Sequence, residues 1–137
     1  MDNISDAPMT EILTLYEHHR LVSPAEWRGK FFKPHELACK GTGELMVEPK
    51  LIEALDDLRA RVGKPITISS CYRSAYHNAR VGGAPKSAHR RGIAADIPLA
   101  GHDKSKLIEL AKQAGFTGFG INYRTFLHVD LGRARSW

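Results

Sequence analysis

Residues 87–96 read SAHRRGIAAD, a stretch in which two potential metal ligands flank a glycine. His89 and Asp96 lie seven residues apart, and both can reach one cation if the chain bends between them. Gly92 permits such a bend because glycine adopts backbone conformations that other residues avoid. An imidazole nitrogen and a carboxylate oxygen together suit zinc, which in catalytic sites usually has three protein ligands and one position for water. The fold must therefore bring a third ligand to this stretch.

The best candidate for the third ligand lies near the C-terminus, where residues 126–132 read FLHVDLG. Apolar and polar residues alternate in this segment, which is typical of a half-buried strand. His128 and Asp130 would share one face of that strand, roughly 6 to 7 Å apart. The pattern predicts that His128 binds the metal. Asp130 can then act as the base on the attacking water, or only form a hydrogen bond to a neighbouring group.

The motif S-x-H-x-x-G-x-A-x-D, followed by a late H-x-D on a strand, resembles the M15 family of zinc peptidases. That family includes D-alanyl-D-alanine carboxypeptidases, dipeptidases and many phage endolysins. Residues 70–78, SCYRSAYHN, are similar to the family signature S-G-Y-R-S-x-x-H-N, and residues 32–43 are similar to a segment that precedes it in small members. Several fixed residue types in the same order rarely arise by chance. The resemblance covers roughly residues 31–137.

The resemblance implies a zinc site and a substrate-binding arginine. Arg73 matches the arginine that binds substrate in the family, where it can hold a carboxylate or stabilise an oxyanion. Some members place an acidic base three residues before the last histidine ligand, but Thr125 occupies that position here. Asp130 is therefore the candidate base by default. The expected metal ligands are His89, Asp96 and His128; the expected catalytic residues are Asp130 and Arg73; and the expected substrate-binding residues are Arg73, Ser87 and Tyr72.

The expected architecture is one α+β domain over residues 1–137, with residues 1–30 as a helical N-terminal extension. A small, mostly antiparallel sheet would carry the zinc site, with helices packed on one side. By resemblance, the fold would be similar to that of Hedgehog proteins and DD-peptidases. Apolar periodicity predicts helices and strands at specific places. The predicted helices are Met9–Arg20, Pro49–Arg61 and Lys104–Ala114, and the predicted strands are Ile66–Ser70, Phe116–Tyr123 and Phe126–Leu131.

The composition indicates a basic globular protein with an anionic partner. The formal net charge is +5 and the sequence pI is about 9.4. No run of five like charges occurs and aromatic residues are not interleaved with the basic ones, so the sequence argues against nucleic-acid binding. No apolar run is long enough for a transmembrane helix. We expect a monomer that binds carboxylate-rich stem or cross-link peptides of peptidoglycan, the substrate that the resemblance implies.

Two further features concern redox chemistry and location. Cys39 and Cys71 form no C-x-x-C pair, so they are either two buried thiols or, if the fold brings them close, a disulfide.

The N-terminal residues 1–8 are acidic and polar, unlike a secretory signal. We therefore expect synthesis in the cytoplasm, of a host cell if the protein is phage-encoded. Action on the cell wall would follow release or carriage on a virion.

The function expected from these residues is that of a zinc peptidase acting on bacterial peptidoglycan. It would be an endopeptidase or a D-alanine carboxypeptidase, of a size that suits a phage or prophage enzyme. The bond that is cut stays open at this stage. An alternative is a catalytically inactive, zinc-containing protein that binds the cell wall or belongs to a virion, because Thr125 replaces the acidic base of some family members.

Overall fold

The fold is built on a four-stranded mixed sheet, seen in a computed structural model that describes residues 13–137. Its spatial order is β1, β3, β2, β4, and only the pairing of β2 with β4 is parallel. The prediction of an α+β protein with a small, mostly antiparallel sheet is confirmed. The strands are β1 (Ala94–Pro98), β2 (Gly118–Gly120), β3 (Phe126–Asp130) and β4 (Arg135–Ser136).

The register between β1 and β3 decides where the polar side chains meet. Asp96 lies directly opposite His128 in this antiparallel pair. Side chains at opposite positions point to the same face of a sheet, and neighbours along each strand point to the other face. The intervening residues of both strands join the hydrophobic core, namely Ala95, Ile97, Leu127 and Val129. The sheet therefore has one apolar face and one face that carries the two polar residues.

Helices cover the apolar face of the sheet. In α2, five residues at helical spacing are buried, and Gly63 ends the helix in the left-handed conformation with φ of 77°. In α4, the side chain of Asp103 accepts a hydrogen bond from the Lys106 backbone N–H and caps the first turn. The two helices contact each other, and α4 contacts β3. The helices are α1 (Pro34–Leu37), α2 (Pro49–Val62), α3 (Ala75–Arg80) and α4 (Lys104–Gln113).

The predicted helix Met9–Arg20 is wrong in the part that can be compared. Its first four residues lie outside the described chain. In the remainder, Tyr16 is extended and pairs with Leu45 through two backbone hydrogen bonds of 2.9 and 3.0 Å. Only a 3-10 turn follows, at His19–Leu21. A short helix is marginal in isolation, so this long-range pairing outweighs the local periodicity.

One other prediction needs correction, and the structure decides between the two alternatives for the cysteines. The segment Ile66–Ser70 is extended and buries Ile66 and Ile68, but it forms only one bridge to β1, between Ser70 and Asp96, rather than a strand. Cys39 and Cys71 are buried free thiols, so the possible disulfide is not present. Across residues 13–137, no helix has the length and apolar character needed to cross a bilayer.

Candidate metal centre

Three side chains from distant parts of the chain converge on the polar face of the sheet. Oδ1 of Asp96 lies 3.2 Å from Nε2 of His89 and 3.0 Å from Nδ1 of His128. One ligand atom from each residue falls within 4.8 Å of the others, and all three residues are buried. Among the described residues, this is the one cluster of at least three potential metal ligands. The sequence-predicted ligand set is therefore brought together.

A tight turn before β1 presents His89. The backbone N–H of His89 donates to Oγ of Ser87 at 3.2 Å, and Nδ1 lies 2.7 Å from the carbonyl oxygen of Cys71. A carbonyl only accepts, so Nδ1 carries the proton and the lone pair of Nε2 faces Asp96. Gly92 has φ of 71°, and a Cβ there would lie 2.3 Å from the carbonyl oxygen of Met46. The bend that the sequence predicts therefore requires glycine.

The ring of His128 is oriented by a carboxylate on the side away from Asp96. Nε2 of His128 lies 2.7 Å from Oδ2 of Asp130. Burial raises the pKa of Asp130, but hydrogen bonds with His128 and Arg135 outweigh burial and hold that pKa well below its usual range. Asp130 is thus a charged acceptor, and Nε2 of His128 carries the proton that it receives. The lone pair of Nδ1 then faces Asp96.

The chemistry of this donor set fits a cation such as zinc. Two imidazole lone pairs and a carboxylate oxygen point to one place, where they repel each other unless a proton or a metal ion lies between them. Burial raises the pKa of Asp96, but when no metal is bound and the ring nitrogens carry the intervening protons, hydrogen bonds from His128 and His89 outweigh burial and lower that pKa to about 2. Asp96 therefore stays ionised. Two histidines and one aspartate form a ligand set of the kind that catalytic zinc uses.

Arg73 borders the cluster and is held in place by three contacts. Its Nε donates to Oγ of Ser70 at 3.1 Å, and Nη1 donates to Oδ1 of Asn78 at 3.2 Å. Nη2 lies 3.6 Å from Oδ2 of Asp96. Asn78 is itself buried and donates through Nδ2 to the carbonyl oxygen of Ala84 at 2.8 Å. The guanidinium is therefore fixed between the carboxylate of Asp96 and Asn78 of α3.

The cluster lies in a cleft of about 550 Å³ with a basic and aromatic lining. Three cationic side chains border it, whereas Asp96 is the one carboxylate among the described residues that line it. Tyr123 and Phe126 stack on each other with ring centroids 4.4 Å apart. This lining suits an anionic ligand with some apolar surface. The polar and aromatic residues of the lining are Arg73, Lys86, Ser87, His89, Asp96, Tyr123, Phe126, His128, Arg135 and Trp137.

The other predicted site residues occupy different positions. Ser87 lines the cleft beside His89. Tyr72 is buried outside the lining, and its backbone N–H donates to the carbonyl oxygen of Leu37. Asp130 is fully buried and does not line the cleft. Its hydrogen bond with His128 lies on the side of that ring away from Asp96.

Sequence reasoning missed several residues of the cleft. Trp137 lines the cleft, and its ring centroid lies 5.0 Å from that of His128. Lys86 and Tyr123 also line the cleft and carry no motif of their own. Asn78 belongs to the signature around Arg73, and that neighbourhood is the one signal that could have found it. The others depend on contacts between distant segments.

Comparisons with known proteins agree with this site. The sequence model of the family described as peptidase M15 matches residues 25–130. A zinc D-Ala-D-Ala carboxypeptidase from Streptomyces albus G is 36% identical over 88 residues, which make up 61% of this chain and 34% of that protein. The peptidoglycan L,D-endopeptidase MepK from Escherichia coli strain K12 is 33% identical over 99 residues, 66% of this chain and 54% of that protein. The chain thus spans about a third to a half of the length of these curated relatives.

Proposed function

Because the chain belongs to the peptidase M15 family, we propose that it is a zinc-dependent peptidase that cleaves peptide bonds in bacterial peptidoglycan. The observation that carries this proposal is the convergence of two histidine lone pairs and one carboxylate in an open cationic cleft. One relative is named as a zinc carboxypeptidase and another as a peptidoglycan endopeptidase. Peptidoglycan stem peptides carry several carboxylates, which suits a cleft lined by three cations.

Zinc would be held by His89, Asp96 and His128. When bound, it supplies Lewis-acid activation of the scissile carbonyl group. The chain's own residues orient the ligands before zinc arrives: the carbonyl of Cys71 holds the Nδ1 proton of His89, and Asp130 holds the Nε2 proton of His128. Partners of this kind fix the ring and its tautomer. The site therefore needs little rearrangement to bind the metal.

Arg73 is proposed to bind the substrate beside the metal. A guanidinium has five N–H donors, of which the hydrogen bonds with Ser70 and Asn78 use two, and Nη2 forms an ion pair with Asp96. The remaining donors are available to an oxyanion that develops from the scissile carbonyl, or to a neighbouring substrate carboxylate. Because three contacts fix the group in advance, it would lose little conformational freedom when the substrate binds.

The role of Asp130 as a general base has little support from its surroundings. A base must come within hydrogen-bond reach of the proton that it removes. Asp130 is fully buried, and four donors engage its two oxygens. We therefore assign it the orienting role, which the H-x-D spacing also allowed.

The lack of a second carboxylate in the described lining of the cleft favours a second candidate function. In it, the chain is a zinc-containing protein that binds the cell wall, or belongs to a virion, without cutting. This candidate predicts zinc and wall binding without new amine termini. A phage or prophage origin, and action on the wall after release from the cell, stay predictions of both candidates.

The test is digestion of purified peptidoglycan by the parent protein and by His128→Ala, with zinc content measured by mass spectrometry. We expect about one zinc per chain in the parent, and released peptides whose masses name the bond that is cut. His128→Ala should release none. His35→Ala removes an exposed histidine outside the cleft and is the matched control. Zinc in the parent without any released peptide would support the binding candidate instead.

A further inference from the structure

The buried carboxylate behind His128 is fixed by an arginine near the end of the chain. Nη1 of Arg135 donates to Oδ1 of Asp130 at 2.9 Å, and Nη2 donates to Oδ2 at 2.8 Å. The backbone N–H of Gly132 adds a third hydrogen bond, to Oδ1 at 2.9 Å. Such a paired contact sets the plane of the carboxylate as well as its position. Oδ2, which faces Nε2 of His128, therefore has a defined direction.

The sheet is built to accommodate this pair. Strand β2 lies between β3 and β4, and its residue Gly118 is the register partner of both Asp130 and Arg135. A Cβ at Gly118 would lie 2.0 Å from Oδ1 of Asp130 and 2.2 Å from Nη1 of Arg135. The arginine and the carboxylate thus meet across β2, in space that any side chain at Gly118 would occupy. This close approach accounts for a glycine inside a buried strand.

The same arginine also contacts the aromatic wall of the cleft. Its Cζ lies 4.7 Å from the ring centroid of Trp137, and that ring lies 5.0 Å from the ring of His128. Nε1 of Trp137 donates to the hydroxyl oxygen of Tyr123 at 2.9 Å. The backbone of Trp137 is held by hydrogen bonds with Phe119 and Ile121. The end of the chain therefore reaches His128 by two routes. Arg135 acts through Asp130, and Trp137 lies directly beside the ring.

We propose that Arg135 is a positioning residue of the metal centre. By fixing Asp130, it keeps the proton of His128 on Nε2 and directs Nδ1 toward Asp96. The inference rests on the proposed function only in taking His128 as a zinc ligand. Arg135 lies beyond the span that the family model matches, which ends at Asp130. The strand that carries it would therefore complete a centre whose ligands all lie within that span.

Arg135 also borders the cleft, so direct binding of a substrate carboxylate is the competing role. Both of its Nη atoms already donate to Asp130. A substrate carboxylate would have to displace Asp130 to receive a paired contact of the same kind. The two roles differ in one observable: a positioning residue changes zinc binding when no substrate is present, whereas a substrate-binding residue changes only KM.

The experiment compares Arg135→Gln with Arg133→Gln. Both variants lose one positive charge near the chain end, but Arg133 is exposed and does not line the cleft. Zinc affinity is measured without substrate, by competition with a chromogenic chelator. Loss of a partner that orients a ligand typically weakens metal binding by about 10- to 100-fold, and we expect that loss for Arg135→Gln. Arg135→Lys keeps the charge without the paired geometry and should fall between this variant and the parent.

Nitrogen-15 NMR of the zinc-loaded parent provides a second measurement that needs no variant. We expect the proton of His128 on Nε2. A proton on Nδ1, or equal zinc affinity for Arg135→Gln and Arg133→Gln, would overturn the inference. If thermal melting shows that Arg135→Gln is unfolded, the NMR result and Arg135→Lys decide. Weakened zinc binding in Arg135→Gln, together with a parent that cuts no peptidoglycan, would overturn the proposed function and leave this inference standing. Cleavage by the parent, together with unchanged zinc affinity in Arg135→Gln, would overturn this inference and leave the proposed function standing.

Discussion

The two sides of the cleft are built in different ways. On the metal side, Asp96 and His128 lie opposite each other on paired strands and are buried, with 5% and 7% of their surfaces exposed. On the substrate side, Lys86, Tyr123 and Trp137 come from loops and the chain end, and the two aromatic residues are 38% and 39% exposed. Strand register therefore sets the positions of Asp96 and His128, whereas the residues that would select the ligand lie in exposed segments.

This difference has a physical cause. A slip of one residue in an antiparallel pair moves every side chain to the other face, so the apolar residues between the two ligands would lose their place in the core. The relative position of Asp96 and His128 is thus tied to the stability of the whole sheet. Exposed loop residues have no such coupling and can be exchanged at small cost. Changes on the two sides should consequently have effects of different kind and size.

The largest effect is expected from Asp96→Asn, which removes the charge of the carboxylate that contacts both histidines while keeping its shape. We expect zinc affinity to fall by more than about 100-fold, beyond the loss typical of an outer partner, and cleavage to disappear. Chelator competition and peptidoglycan digestion measure the two effects. Asp57→Asn, which alters an exposed ion pair on α2, is the control. Zinc binding at the parent level in Asp96→Asn would show that this carboxylate is not a ligand.

The next effect is expected from Arg73→Lys, which keeps the charge and removes the forked donor geometry. We expect kcat to fall by about 10²- to 10³-fold, the usual cost of losing an oxyanion donor, while zinc stays bound. Arg91→Lys makes the same exchange at an exposed residue outside the cleft lining. Steady-state kinetics on an isolated stem peptide give kcat and KM. A rise in KM alone would mean that Arg73 only anchors a substrate carboxylate.

A moderate effect on stability is expected from Gly118→Ala, because its Cβ would overlap the contact between Asp130 and Arg135. Overpacking of this kind costs about 1–3 kcal/mol of unfolding free energy. Gly132→Ala is the graded comparison, since its Cβ would lie 3.1 Å from Oδ1 of Asp130 and needs only a small shift. Urea unfolding of the metal-free proteins measures both. Equal stability of the two variants would contradict the close packing described for β2.

A smaller effect, confined to substrate binding, is expected from Lys86→Glu. An exposed ion pair contributes up to about 1 kcal/mol, so KM for an anionic peptide should rise by about two- to fivefold. Zinc affinity should not change. Lys106→Glu makes the same charge reversal on α4, outside the cleft lining. If the two variants raise KM equally, the effect comes from net charge rather than from a contact in the cleft.

The smallest effect is expected in the pH dependence of stability, whose slope should have opposite signs in the metal-free and the zinc-loaded protein. Burial lowers the pKa of His128, but hydrogen bonds with Asp130 and Asp96 raise it above 6.5 in the folded protein. The stabilisation that this raised pKa gives to the folded protein is complete below the unfolded-state pKa of about 6.5. It is lost as the pH rises through the pKa of the folded protein. The metal-free protein should therefore lose stability in that range.

Zinc reverses this trend, because it binds deprotonated imidazole and its stabilising effect at a fixed concentration grows with pH. Thermal midpoints from about pH 6 to about pH 9, with zinc and with a chelator, measure both slopes. Slopes of the same sign would mean that zinc does not compete with the proton of His128.

Much of the metal side could be predicted from local sequence. The types and spacing of His89, Asp96 and His128 predict the cluster of potential ligands that the structure brings together, and Gly92 predicts the turn before β1. The apolar periodicities of α2 and α4 predict helices that the structure contains. These signals are local because ligand type, backbone freedom and amphipathic spacing belong to short segments.

Only the tertiary structure decided how the remaining residues act. It made Tyr16 a bridge partner of Leu45, buried Tyr72 outside the cleft lining, and placed Asp130 behind His128 and outside that lining. It also brought Arg135 across β2 to that carboxylate. Residue types and spacing determined which groups can bind a metal. Contacts between distant segments decide which nitrogen of each ring faces the cluster and which carboxylate is excluded from solvent. Those contacts exist only once the sheet has formed.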